Sequence, residues 1–196
     1  MGNSFSLYTN FIRILVSTIQ NPQCNVNKNT MLNASINRQV VNVVEYLARK
    51  GADVKNPIRI RKISNEFYPS PLVVASKIGN EEIVKLLIYY GAVVNKICEV
   101  SGSTPLHVAV NNGNTKIVKL LLENGANPNF LDKENSTPLH IAIDKHSNMV
   151  ELIKLLLEYG ADIDIQDNNG ITPFTLCFKK DFPSETKDVI ISYFML

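Results

Sequence analysis

The octapeptide "STPLHVAV" at residues 103–110 returns 33 residues later as "STPLHIAI" at 136–143. No other feature restricts the fold so much. Aligned on Thr104, one unit reads "TPLHVAVNNGNTKIVKLLLENGANPN", and the unit from Thr137 reads "TPLHIAIDKHSNMVELIKLLLEYGADID". Related stretches begin at Ser70 ("SPLVVASKIGNEEIVKLLIYYGAVVN") and Thr172 ("TPFTLCF"), with a weaker copy from Thr30 ("TMLNASINRQVVNVVEYLARKGADVK"). The starts at 70, 104, 137 and 172 lie 34, 33 and 35 residues apart. A fixed period of this length marks an array of stacked supersecondary units.

Each unit reads as two short helices and a loop. Thr104 suits an N-cap, and Pro105 falls at the first helical position, where a missing N–H costs nothing. Leu106, Ala109 and Val110 then share one helical face, and Gly113–Asn114 interrupts it. A second helix is predicted from about Thr115, with Ile117, Val118, Leu120, Leu121 and Leu122 forming a broad apolar stripe. Gly125 sits where a C′ glycine would end it, and the polar "ANPNFLDKENS" follows as a loop. Helices of two or three turns cannot stand alone in water. Neighbouring units must therefore bury one another's stripes, which gives an all-α solenoid of stacked helix–turn–helix units with hairpin loops.

The T-P-L-H, I-V-x-L-L-L and G-A-x-x-N motifs at this period resemble the ankyrin repeat family. The resemblance covers roughly residues 28–196 and is strongest in the units from 104 and 137. It thins at the ends, where Met31 and Ser35 replace proline and alanine, and Phe174 and Cys177 replace leucine and alanine. The expected organisation is an N-terminal capping helix within 1–27 and a repeat domain over 28–196, its last unit a cap. Two departures stand out: extra residues around "DKHSNM" in the fourth unit, and a longer junction between the first two units, "NPIRIRKISNEFYP".

Composition narrows the function classes. Nine Lys and Arg face three acids in residues 1–69, whereas 70–196 carry eleven against fifteen, so a formal net charge of +2 hides a basic first third. Overall balance argues against a nucleic-acid binder or a polybasic membrane protein. The alternative is a regulatory or nucleic-acid contact through that first third, centred on Arg59, Arg61 and Lys62 in the 56–69 insertion. Cys24, Cys98 and Cys177 are scattered and odd in number, which fits reduced thiols rather than a disulfide framework or zinc. The apolar run "FIRILVSTI" is too short to span a bilayer and lacks the flanks of a secretory signal. Cytoplasmic location is the resulting expectation. "MGNSFS" matches the acylation pattern with Gly2 and Ser6, so membrane contact is expected only if Gly2 is lipidated.

His107 and His140 admit catalytic, metal-binding and structural readings. A general base needs a nucleophile or acid held against it, and a metal pair of His140 with His146 lacks a third ligand. The two histidines hold equivalent places in successive units, where the others carry Asn33, Val73 and Thr175. A repeated, interchangeable position suits a tie to the Thr hydroxyl three residues back and nearby backbone; the resemblance adds a tie between neighbouring loops. Asp162, Asp164 and Asp167 lack the closing glutamate of a calcium loop and read as loop structure. No phosphate-binding glycine motif occurs. No catalytic, metal or cofactor residue is assigned, and no enzyme activity is expected.

The resemblance implies a concave groove formed by hairpin tips and first helices. Position by position this assigns Val100, Ser101, Ser103, Asn111 and Asn112, then Lys133, Glu134, Ser136, Asp144 and Lys145, then Asn168, Asn169, Ile171, Lys179 and Lys180. Ends of second helices add Tyr90, Asn124 and Tyr159. The expected role is non-enzymatic binding of an intracellular protein of unspecified identity by a monomer, with no small-molecule substrate. In a short member of this family, an asparagine-, isoleucine- and lysine-rich composition suits an intracellular bacterium or a large DNA virus, the partner then being a host protein.

Overall fold

The computed structural model describes residues 28–57, 69–145, 150–179, 187–188 and 191–193. Gly2, the segment over 1–27, Arg59, Arg61, Lys62, His146 and Lys180 lie outside the described residues. Helices α1 (Lys28–Asn37) and α2 (Val41–Arg49) form the first unit. Then come α3 (Pro71–Ile78) with α4 (Glu81–Tyr89), α5 (Pro105–Asn111) with α6 (Thr115–Glu123), α7 (Pro138–Lys145) with α8 (Val150–Glu158), and α9 (Pro173–Lys179). No strand occurs among the described residues. First helices pack in one layer, α1–α3–α5–α7–α9, and second helices in another, α2–α4–α6–α8, with each pair joined across the layers. The stacked array expected from the period is what forms.

Local chemistry fixes the element ends. Ser70 and Thr104 cap α3 and α5 by accepting the backbone N–H three residues on, and proline opens α3, α5, α7 and α9. The first unit departs from this. With Met31 in place of proline, Thr30 lies inside α1 rather than before it. Second helices end alike in four units. Gly51, Gly91, Gly125 and Gly160 adopt φ of +81° to +88°. The alanine after each glycine donates its N–H to a leucine carbonyl five residues back, at 2.9–3.0 Å. This double closure of the last turn requires a left-handed residue, then a small apolar one turned inward. It accounts for the Gly-Ala dipeptide, since all four alanines are buried.

The core runs unbroken from Met31 to Cys177. Leu32, Leu72, Leu106 and Leu139 are fully buried at one equivalent position, and Ala75, Ala109 and Ala142 at another, where first helices meet closely. Ser35 fills that alanine position in the first unit and bonds its hydroxyl to the Met31 carbonyl at 2.7 Å. Cys177 fills it in the last, and burial pushes its thiol up to about 11.

Candidate functional site: a concave cleft across the hairpins and first helices

The hairpins are tied to one another before they can present a surface. Thr104 donates its backbone N–H to His107 Nδ1 (3.2 Å), with the Thr104 hydroxyl also 2.8 Å from that nitrogen. An accepting Nδ1 leaves the proton on Nε2, which donates to the Ser136 carbonyl of the next hairpin at 3.1 Å. His140 repeats the arrangement with Thr137 (3.1 and 2.9 Å) and donates to the Ile171 carbonyl at 3.0 Å. Burial holds the His107 imidazole below its ordinary value, against the pull of the Ser136 carbonyl and Asp132. Both nitrogens of each ring are engaged in these bonds, so the histidines are structural ties. In the last described unit Thr175 bonds back to Thr172 and, among the described residues, reaches no further hairpin. In the first, Asn33 is buried at this position with its Oδ1 unpaired among the described residues.

Asparagine forms a second set of ties. Asn95 donates its amide to the Gly125 carbonyl (2.9 Å) and accepts the Asn127 N–H (2.9 Å); Asn129 does the same with Gly160 (2.9 Å) and Asp162 (2.7 Å). This is the last position of G-A-x-x-N, and it spans units as histidine does. Backbone bonds from Lys133 N to the Ser101 carbonyl and from Asn168 N to the Glu134 carbonyl join successive hairpin tips. At Gly102 (φ +72°) the contact is so close that a Cβ would lie 2.8 Å from Lys133 N, so only glycine fits.

Above these ties lies an open cleft of about 820 Å³. One wall is the hairpin tips, with Val100, Ser101, Lys133 and Glu134; the other is the C-terminal ends of first helices, with Lys77, Asn111, Asn112, Asp144 and Lys145. Val108, Ile141 and Leu176 line it from one equivalent position of three successive units, each only partly buried. Ser103, Ser136 and Ile171 also line it. Asn112 donates to the Lys77 carbonyl at 2.8 Å, and Lys145 donates to Asn111, so helix ends are linked between units. Asp132 and Asp167 each accept two hairpin N–H groups on one oxygen at 2.8–2.9 Å. Asp162 takes the Asp164 N–H at 2.8 Å, so these carboxylates shape loops.

Eleven of the residues assigned to the groove by position come together here: Val100, Ser101, Ser103, Asn111, Asn112, Lys133, Glu134, Ser136, Asp144, Lys145 and Ile171. Tyr90, Asn124, Tyr159, Asn168, Asn169 and Lys179 do not line the cleft. Tyr90 is half-buried against the core, and the exposed ring is its neighbour Tyr89, edge-on at 5.1 Å and 81% accessible. Helical spacing carried that signal, because Ile83, Leu87 and Tyr90 fall on one face and Tyr89 falls off it. Asn124 turns its amide back to the Leu120 carbonyl. Sequence reasoning missed Lys77, Val108, Ile141 and Leu176; for the last three the available sign was the fourth residue past each threonine. Among the described residues no three His, Cys, Asp or Glu side chains gather as metal ligands.

The fold and cleft define a helical-repeat solenoid with a grooved concave side. The family model described as ankyrin repeats (3 copies) matches residues 72–167 and 124–184, and the chain belongs to the ankyrin repeat family. It is 35% identical over 122 residues to an ankyrin repeat protein of Fowlpox virus (strain NVSL), covering 62% of this chain. The chain spans about a third of that relative's length (34%). Ankyrin repeats are generally protein–protein interaction modules without enzymatic activity. Among the described residues no helix is long and apolar enough to cross a membrane.

Proposed function

We propose that the chain binds a protein through the cleft over α5, α7 and α9, without catalysing a reaction, and that the partner belongs to a host cell. The carrying observation is the row Val108, Ile141 and Leu176, flanked on both sides by polar and charged side chains. An apolar centre with a polar rim is the anatomy of a protein interface. The ties beneath it hold the surface before a partner arrives, which lowers the ordering cost of binding. A viral relative supports the choice of a host partner.

The test compares two triple variants of the immobilised chain for the proteins they retain from host-cell extract. Val100→Glu, Lys133→Glu and Lys145→Glu change the cleft; Lys119→Glu, Glu123→Lys and Lys154→Glu change exposed positions on the second helices. The first set should weaken retention at least about tenfold, or ~1.4 kcal/mol. The second should leave it nearly unchanged, with both sets melting as wild type does. Equal losses, or a greater loss from the second set, would reject the cleft as the contact.

A further inference from the structure

The chain contains three Asn-Gly dipeptides, Asn112–Gly113, Asn124–Gly125 and Asn169–Gly170. In such a pair the glycine nitrogen, lacking a flanking side chain, can attack the preceding side-chain amide. The three sites differ in how firmly that amide is held. Asn112 donates to the Lys77 carbonyl at 2.8 Å and Asn124 to the Leu120 carbonyl at 2.8 Å, each at the cap of a helix. Among the described residues, the Asn169 amide has only a 3.4 Å contact with Asp167 Oδ2. Every glycine N–H is itself bonded to a carbonyl three residues back, at 2.9–3.0 Å, so local opening is needed at all three. At Asn112 and Asn124 opening must also break a good amide bond and the end of a packed helix. Asn169 and Gly170 are both exposed, as are Asn124 and Gly125, so the bond that holds the amide is what separates the sites.

From this geometry we infer that Asn169 is a modification site, converting spontaneously to aspartate and isoaspartate while Asn112 and Asn124 are protected by the fold. Hydroxide removes the Gly170 amide proton, and the nitrogen attacks Cγ of Asn169. The N–Cγ bond forms, the Cγ–Nδ2 bond breaks, and the departing nitrogen takes a proton from water to leave as ammonia. Water then opens the resulting succinimide at either carbonyl, without oxidant or reductant. Isoaspartate adds a methylene to the main chain where Asp167 accepts the N–H groups of Asn169 and Ile171. Because the Ile171 carbonyl holds His140, the change reaches the tie between the last two hairpins.

Intact protein aged at mildly alkaline pH, then digested for peptide mass mapping, tests this. Conversion at Asn169 should exceed that at Asn112 and Asn124 by about tenfold or more, as expected when only the latter need a costly local opening. In strong denaturant the three rates should converge, which assigns the selectivity to the fold. Conversion at Asn112 or Asn124 equal to or faster than at Asn169 in native protein overturns the inference. So does an Asn169 that stays intact while the denatured chain converts, or a difference that persists in denaturant.

Discussion

At the scale of single residues, His107 does its work by being neutral. Nδ1 of His107 faces the N–H of Thr104, so a proton there would set two donors against each other, and burial further disfavours the charge. The folded value therefore lies below the free value of 6.5, and the unfolded chain binds the proton first as pH falls. The stabilisation is complete above about pH 6.5 and is lost as pH drops through the window down to the folded value. His107→Gln should make stability less pH-dependent over that window and lower it by about 1–2 kcal/mol at neutral pH, read from denaturant midpoints at several pH values. A variant with the wild-type slope would contradict the assigned tautomer. Thr104, Pro105 and the role of His107 were legible because each acts within one turn of its neighbours. The partner of Nε2 was not, since the Ser136 carbonyl lies 29 positions away and no side-chain pattern marks a carbonyl.

At the scale of elements, apolar periodicity told the two helices of a unit apart and placed their buried sides. Leu121 is fully buried in the last turn of α6, the helix packed between α4 and α8. Leu121→Asp would put an unpaired charge there and should destabilise by several kcal/mol, at least ~3. Circular dichroism should show lost helix and a lower midpoint; cooperative melting at the wild-type temperature would remove Leu121 from the core. Element starts were less legible where the proline was missing. With methionine at 31, Thr30 is taken into α1, whereas Pro105 and Pro173 fix their helices at the residue. Unit positions alone carry the hairpin tips and first-helix ends to the cleft. Tyr90 lies off the cleft and half-buried, and chain order does not distinguish a ring turned inward from one turned out.

At the scale of the molecule, stability in such an array is local coupling summed along a line. In the units built on α5–α6 and α7–α8 the first helices are packed on both sides and both kinds of tie are engaged, whereas Thr175 in the last described unit reaches no further hairpin among the described residues. Amide hydrogen exchange should therefore be slowest in α5 to α8 and faster in α9, which opens without unfolding the rest. Uniform protection across all of these helices would mean that the array unfolds only as a whole. The ties also bear on how such a chain can change its length. His107, His140, Asn95 and Asn129 each complete their bonding 29–31 residues further along, on the unit that follows. Duplicating or deleting a whole unit hands every such group an equivalent partner. A slip of any other size would strand a buried imidazole or asparagine unless the extra residues fell outside the span between helix start and hairpin. Recombination in whole units is then the change in length that leaves the bonding closed, and this chemistry gives the repeat its fixed length as much as the packing of its helices does.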